Sequence, residues 1–201
     1  MSRTIQKEET YQRLLEKAAQ IFAKIGYAQA NINEISVAAG FGKGTIYNYF
    51  KNKKDLLAAI IRHACHGAIQ DILKQLENLT DPVEKIHTLI RAEIEWFKKN
   101  EDLGRVMIRE GYGAPPQDQK DFLEALQEGY LLMTGIFQEG IEKRCFRKDA
   151  DPQFATHMLF GIIETQLLSH WLLGDQYPSL DKISENIFSI FMFGLKEGGS
   201  P

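Results

Sequence analysis

Apolar residues recur at every third or fourth position through most of the chain, which is the spacing of helices that bury one face. The pattern is clear from Thr10 to Ile25, and Gly26 then supplies a helix end. No segment alternates apolar and polar residues as a strand does. The predicted fold class is therefore all-α. Further helices are predicted over residues 53–76, 82–99, 101–110, 118–144, 152–173 and 179–196.

Residues 31–50 predict two short helices joined by a tight turn. Asn31 can cap the first helix, and Glu34 is placed to reach back to the same end. Gly40 supplies the positive φ that a sharp turn needs. A second helix is expected from Gly42 to the end of the stretch.

The second of these helices has an unusual outward face. Ile46 and Phe50 share its inward face, whereas an ordinary solvated helix would carry Glu and Lys on the other side. Here that side has a glycine for close approach, hydroxyl and amide groups for base edges, and tyrosines and a lysine for phosphates. The alternative is an incidental helical hairpin. The candidate DNA contacts in this helix are Lys43, Gly44, Thr45, Tyr47, Asn48 and Tyr49.

The block LLEKAAQIFAKIGYAQANINEISVAAGFGKGTIYNYFKNKKDLLAAI, residues 14–60, resembles the N-terminal DNA-binding domain of the tetracycline-repressor (TetR) family. Its segment GKGTIYNYFKNKKDLL is highly specific for that family. The rest of the chain resembles the family in length and helical layout. A body of this kind is also mildly similar to acyl-CoA-responsive members.

The resemblance implies a three-helix helix-turn-helix DNA-binding domain in residues 1–52 and a helical ligand-binding and dimerisation domain in residues 53–201. Gly42 stands where the family often has Ser, and Asn33 where a basic residue is frequent, so a hydroxyl and a charged contact are in doubt there. The positions that the resemblance adds to the DNA-contacting set are Asn31, Asn33, Gly42 and Lys53.

Charge is distributed unevenly along the chain. The whole sequence carries −3, but residues 1–55 contain nine Lys and Arg against five Asp and Glu and carry +4. The remainder carries −7. Because phosphates attract the basic end and repel the acidic one, this distribution favours a DNA-binding N-terminal region with a body that lies away from DNA.

The two cysteines, Cys65 and Cys145, lie far apart without metal-binding spacing, which favours buried thiols over a disulfide. No apolar run approaches the roughly 18 residues of a membrane span, and the first residues lack the apolar core of a signal peptide. We therefore expect a cytoplasmic protein with no membrane partner, cofactor or metal.

The last two predicted helices are apolar on more than one side. From Phe154 to Leu172 two apolar stripes run along one helix, and nearly every residue of the final helix after Asn186 is apolar. Such surfaces need cover, which predicts a homodimer formed by these two helices of each chain as a four-helix bundle. Burial within one chain is the alternative. A dimer would present two reading helices to successive major grooves, about 34 to 36 Å apart.

The middle helices carry many large apolar side chains, which favour either an ordinary core or a pocket for a small apolar ligand. A fatty acyl-CoA is the preferred ligand, because of the resemblance to acyl-CoA-responsive members. Arg109, Glu93, Gln138 and Glu164 are candidate polar anchors that also fit surface or ion-pair roles. The candidate pocket residues are Trp96, Phe97, Met107, Tyr112, Phe122, Tyr130, Met133 and Phe137.

These features together predict a ligand-responsive transcriptional regulator, a repressor that binds a palindromic double-stranded operator as a dimer and is released by the ligand. Two alternatives without DNA binding are a helical interaction module and a single-metal enzyme. The enzyme reading depends on one E-x-x-H, Glu84 and His87, although di-iron bundles use this spacing twice. No nucleophile or metalloprotease motif occurs in the sequence, so no enzyme is predicted.

Overall fold

The computed structural model describes residues 3–113 and 119–193, and within those ranges all regular structure is helical. The all-α fold class is confirmed. The α-helices are α1 (Arg3–Ile25), α2 (Ile32–Ala38), α3 (Lys53–Leu76), α4 (Pro82–Lys99), α5 (Glu101–Val106), α6 (Gln119–Glu142), α7 (Pro152–Leu173) and α8 (Leu180–Phe193). A 3-10 turn spans Thr45–Asn48, a π-helical turn spans Met107–Gly111, and a second 3-10 turn spans Gly174–Gln176. The predicted end of the last helix, residues 194–196, lies outside the described residues.

The prediction was wrong about where α1 begins, because the helix already starts at Arg3 rather than at Thr10. Its first turns carry no apolar periodicity that could have revealed them. Side-chain hydrogen bonds one turn apart support these turns, from Thr10 Oγ1 to the Gln6 carbonyl at 2.8 Å and from Gln12 to Glu8 at 2.9 Å.

The second helix of the predicted helix-turn-helix is also much shorter than expected. Instead of a helix over residues 42–50, the structure has the single 3-10 turn Thr45–Asn48. The Gly42 carbonyl accepts hydrogen bonds from Ser36 Oγ at 2.6 Å and from the Thr45 N–H at 2.9 Å, so it is engaged in a turn. Two glycines within three residues further disfavour a regular helix.

The cap and turn before this segment follow the prediction. Asn31 caps α2 by accepting a hydrogen bond from the Asn33 N–H at 2.9 Å. Gly40 has a φ of +86° and Gly26, which ends α1, a φ of +85°. Only glycine adopts such angles without strain, so these two positions fix how α1, α2 and the segment after them follow one another.

The chain divides into two compact units. Unit 1 contains Met1–His66 and Asn100–Ala125, and unit 2 contains Gly67–Lys99 and Leu126–Pro201. Both α3 and α6 continue from one unit into the other. The predicted domain boundary at residue 52 stays a prediction.

Unit 1 has one core that joins the N-terminal helices to the start of α3 and to α5. Its central side chains are fully buried, and each comes from a position that the apolar spacing of its own element marks as inward. They include Leu14, Leu15, Ala18, Phe22, Ile35, Ile46, Leu56, Ile60 and Val106.

Unit 2 packs α4 against both α7 and α8. Asp151 caps α7 by accepting hydrogen bonds from the N–H groups of Gln153 and Phe154, and Pro152 occupies the first turn, as predicted. Buried Cys65 in unit 1 agrees with the sequence-based expectation, whereas Cys145 in unit 2 is exposed, which corrects it. Cys145 follows the end of α6, where the helix no longer provides cover. The main buried residues of unit 2 are Ile86, Leu89, Ile90, Leu159, Ile163, Leu167, Ile183 and Ile187.

Candidate DNA-binding surface and ligand-binding residues

The reading segment, residues 43–49, presents small polar groups on the surface of unit 1. Ile46 is fully buried beneath it, and Phe50, the residue that follows it, is buried as well. Thr45 and Tyr49 are partly buried. The exposed members are Lys43, Gly44, Tyr47 and Asn48, which are four of the predicted DNA contacts.

Aromatic packing and one arginine hold this segment in place. The Tyr49 and Tyr11 ring centroids are 6.3 Å apart, and Tyr11 stacks on Phe50 at 5.3 Å. Arg13 donates from Nη2 to the Ala39 carbonyl at 3.0 Å, at the turn after α2. The sequence analysis did not identify Arg13, because an arginine on the polar side of an amphipathic helix looks like an ordinary solvated residue.

The other predicted DNA contacts lie on neighbouring segments of unit 1. Asn31 and Gly42 are exposed and Asn33 is partly buried. Lys53 instead packs inward, because its ammonium donates hydrogen bonds to three backbone carbonyls. These are the carbonyls of Tyr27 at 2.9 Å, Ala28 at 3.1 Å and Ala30 at 3.0 Å.

An ammonium has three protons, so these bonds occupy all of the donors of Lys53. The same group lies 4.6 Å from the centroid of the Tyr27 ring, a favourable cation–π distance. The structure therefore gives Lys53 the role of fastening the start of α3 to the connection between α1 and α2. A phosphate contact would require it to give up one of those bonds.

Two charged residues of the π-helical turn bind the end of α1. Arg109 donates from Nη2 to the Phe22 carbonyl and from Nη1 to the Ala23 carbonyl at 3.3 Å. Glu110 accepts from Arg109 Nε at 2.8 Å and from the Tyr27 N–H at 3.2 Å. Arg109 thus contacts the end of α1 and pairs with Glu110, and its role as a ligand anchor stays a prediction. A π-helical turn often marks a functional position in a helical protein.

The structure divides the predicted ligand-binding residues between the two units. In unit 1, Met107 and Phe122 are buried and Tyr112 is exposed. The Tyr112 and Phe122 rings meet edge to face with their centroids 5.0 Å apart. Met107 Sδ lies 3.6 Å from the thiol of Cys65.

Unit 2 holds the other five of these residues. Trp96, Phe97, Met133 and Phe137 are buried and Tyr130 is partly buried. Three aromatic pairs involve these residues, one within the set and two with further rings of the same unit. These are Trp96 with Phe97 at 5.4 Å, Phe97 with Trp171 at 6.1 Å, and the parallel rings of Tyr130 and Phe160 at 6.2 Å.

Among the candidate polar anchors, Glu93 of α4 is the buried one. Only 6% of its surface is exposed, whereas Gln138 is exposed and donates to Glu142 at 2.8 Å. Burial, with the neighbouring Glu164 as a smaller cause, raises the pKa of Glu93 to about 8. Glu93 therefore carries its proton at neutral pH.

The E-x-x-H pair belongs to the packing of α4 on α8. His87 lies 3.3 Å from the carboxylate of Glu185, and its ring centroid is 4.3 Å from that of Phe188. Among the described side chains, no three His, Cys, Asp or Glu come together as metal ligands.

Within the same residues, none of the helices combines the length and apolar character that crossing a membrane requires.

One face of α7 and the adjoining part of α8 expose large apolar side chains. Phe154 is 64% exposed and Leu172 is 74% exposed, and they lie on one stripe along α7. Ile190 and Phe193 extend the exposed apolar area onto α8. Several exposed large apolar side chains on one side of a helix pair are typical of a protein–protein interface.

Comparison with known proteins finds a matching family model for the N-terminal segment and another for the rest of the chain. A family model described as bacterial regulatory proteins of the tetR family matches residues 14–60. A second model, described as the C-terminal region of YsiA-like proteins, matches residues 62–194. The fatty acid metabolism regulator protein of Bacillus subtilis (strain 168) is 27% identical over 191 residues, covering 94% of this chain and 97% of that protein.

Solved structures with similar folds include two regulators named FadR. The fatty acid degradation regulator FadR from Bacillus halodurans superposes with a TM-score of 0.86 at 27% identity, covering 93% of this chain and 96% of that one. FadR from Bacillus subtilis in complex with stearoyl-CoA gives 0.86 at 25% identity, covering 92% and 100%. The reading segment, the helical layout and these matches agree, and the chain belongs to the TetR family of bacterial transcriptional regulators, with a YsiA-like C-terminal region.

Proposed function

We propose that this protein is a cytoplasmic, homodimeric transcriptional repressor. It binds a palindromic operator and is released from it by a long-chain fatty acyl-CoA. The observation that carries the proposal is the exposed reading segment of unit 1 in a chain similar over nearly its whole length to a fatty acid metabolism regulator. A FadR structure of similar fold was solved with stearoyl-CoA. The named relatives of this chain are transcriptional regulators, and we propose no catalytic activity for it.

The reading segment supplies the DNA contacts in this proposal. Gly44 has nothing within 4 Å of the position where a Cβ would stand, so the backbone can approach a base pair closely there. Tyr47 and Asn48 project beside it with hydroxyl and amide groups. Lys43 adds a positive charge for a phosphate. The buried Ile46 fixes the orientation of all four.

The exposed faces of α7 and α8 provide the dimer interface. TetR regulators are dimeric, and a two-fold axis through these helices would bring together two copies of the same apolar stripe. Gly161 and Thr165 lie on this stripe between the larger residues. Gly161 has no neighbour within 4 Å of its absent Cβ, which leaves room for a helix of the partner. The interface would thus combine large residues at its ends with small ones at its centre.

Ligand release requires that the acyl-CoA prefer a form of the dimer with weak affinity for DNA. The long helices α3 and α6 run through both units and provide continuous elements for this coupling. In unit 1 the hydrogen bonds of Arg109 and Glu110 to the end of α1 connect the π-helical turn directly to the DNA-binding core. The aromatic residues of unit 2 supply the apolar environment for an acyl chain.

The test is fluorescence anisotropy with the purified dimer and a labelled DNA fragment from its own promoter. We expect salt-dependent binding, release by palmitoyl-CoA, and no release by free coenzyme A. Tyr47→Ala should abolish binding and leave the dimer intact, whereas Tyr47→Phe, which keeps the ring, should retain part of the affinity. A dimer that shows no preference for any genomic fragment would favour the alternative of a helical interaction module.

A further inference from the structure

The turn between α2 and the reading segment, residues 39–42, has little packing of its own. Glycines occupy positions 40, 42 and 44, and none of the side chains of residues 40–45 is buried, although the structure describes all of them. A backbone with this composition has many conformations open to it unless other groups restrain it. The direction of the reading segment therefore depends on restraints that come from outside the turn.

Arg13 of α1 restrains the turn on both sides of Gly40. Its Nη2 donates to the Ala39 carbonyl at 3.0 Å, and its guanidinium carbon lies 5.0 Å from the centroid of the Phe41 ring. A Cβ at Gly40 would lie 3.1 Å from the same nitrogen, so the guanidinium packs directly against the turn. Leu14, the next residue, is fully buried in the core of unit 1 and anchors the base of this arginine.

Ser36 of α2 restrains the same turn. Its Oγ donates to the Gly42 carbonyl at 2.6 Å, and its own carbonyl accepts the Phe41 N–H at 3.0 Å. Because Ser36 is fully buried, it can influence DNA binding only through the turn. Two side chains therefore hold the carbonyls of residues 39 and 42, immediately before the reading segment begins.

Reading a base sequence depends on position more strictly than attraction to phosphates does. Nonspecific binding comes from charge, whereas hydrogen bonds to base edges need their donors and acceptors at defined places. A segment that is already held in its binding conformation also loses less conformational entropy when it meets DNA. A restrained turn should therefore favour the operator over DNA of unrelated sequence.

We infer that Arg13 is a positioning residue for operator recognition, which acts through the turn and not through its own contact with DNA. This inference rests on the proposed function and adds to it a source of specificity outside the reading segment. The alternative is a phosphate contact, since Arg13 is exposed. The two roles predict different effects on the binding of unrelated DNA.

The experiment measures fluorescence anisotropy of the full-length dimer at several NaCl concentrations with two labelled fragments. One comes from its own promoter, and the other is a scrambled fragment of the same length and base composition. Arg13→Gln should lower the ratio of promoter affinity to scrambled affinity about tenfold, the effect expected for one hydrogen bond from a charged group. Ser36→Ala, which keeps every charge, should lower the same ratio.

Lys17→Gln is the matched control for charge. It removes one positive charge from the next turn of α1, where Lys17 bonds to Gln20 of its own helix. It should keep the wild-type ratio, and Arg13→Gln should bind the scrambled fragment as tightly as this control does. Arg13→Lys keeps the charge but lacks the planar fork that contacts a carbonyl and a ring together, so its ratio should also fall. Urea unfolding verifies that each variant is folded.

A phosphate contact would give a different pattern, which would overturn the positioning role. Arg13→Gln would then bind both fragments more weakly than Lys17→Gln does, with a shallower salt dependence, and Arg13→Lys would keep most of the affinity.

An unchanged ratio in Arg13→Gln or in Ser36→Ala would also overturn this role, even if the free energy of unfolding falls, because the turn would then serve stability alone. Either result would leave the proposed function intact, since the wild type would still prefer the promoter. If the wild type shows no such preference, the proposed function fails and the role of Arg13 fails with it.

Discussion

Arg109 donates a hydrogen bond to the backbone carbonyl of Phe22, at the point where α1 ends. The same carbonyl accepts the N–H of Gly26 at 2.9 Å, so it is part of the helix terminus itself. The guanidinium supplies positive charge where the helix dipole is negative. This contact joins the π-helical turn to the helix that carries much of the DNA-binding core.

We expect Arg109→Gln to weaken the response to the ligand more than it weakens operator binding. The shorter neutral side chain cannot reach the Phe22 carbonyl, so the π-helical turn loses its hydrogen bond to α1. The aromatic packing and the Arg13 hydrogen bond that position the reading segment are unchanged. The ratio of operator dissociation constants with and without palmitoyl-CoA should fall severalfold in anisotropy titrations. Arg105→Gln, which breaks the surface pair with Glu101, is the control. An unchanged ratio would exclude this contact from the coupling.

Lys53→Met should destabilise unit 1 by about 1 to 3 kcal/mol, because three carbonyls lose a charged hydrogen-bond donor while the aliphatic volume is kept. Urea unfolding monitored by circular dichroism measures the change in the free energy of unfolding. Lys51→Met, at an exposed position near the start of the same helix, should change it little. If the two variants are equally stable but Lys53→Met alone loses DNA affinity, Lys53 acts on phosphate rather than on the fold.

Leu172→Glu should convert the dimer into a monomer, because it places a charge within an apolar interface that buries the same side chain of both copies. Sedimentation velocity would show the change in mass, and operator affinity should fall with it. Leu131→Glu is the matched control, since Leu131 is also highly exposed, at 61%, but lies on α6. A dimer that survives Leu172→Glu would place the interface elsewhere.

The stability of the free protein should fall as pH rises between about 4.5 and 8 because of Glu93. In the unfolded chain this carboxyl ionises near its ordinary pKa, whereas in the folded chain it keeps its proton until about pH 8. Folding must therefore take up a proton in this range, and the associated loss is at most roughly 5 kcal/mol. Below the lower value both states are protonated, and above the higher one the loss is complete.

Glu93→Gln cannot ionise, so its free energy of unfolding should exceed that of the wild type at pH 8 and approach it at pH 4.5. Urea titrations at a fixed protein concentration would measure both values, since dimerisation makes stability depend on concentration. A wild-type protein whose stability rises with pH over this range, by comparison with Glu93→Gln, would contradict a protonated Glu93.

Local patterns in the sequence determined most of the helical architecture. The apolar spacing and the caps at Asn31 and Asp151 located the helices, and Gly26 and Gly40 marked where the chain must turn. These features act between residues near in sequence, so the sequence alone reveals them. The polar reading segment, with Ile46 beneath it, was visible for the same reason.

Long-range contacts decided what the sequence left open. The 3-10 form of the reading segment depends on the bond from Ser36 to the Gly42 carbonyl, and Lys53 turned inward because three carbonyls of another segment converge on it. Likewise, Glu93 looks like any other helical glutamate in the sequence, and only the packing of unit 2 buries it. Side-chain burial and hydrogen bonding between distant segments depend on how helices pack, and neither helical periodicity nor residue type specifies that packing.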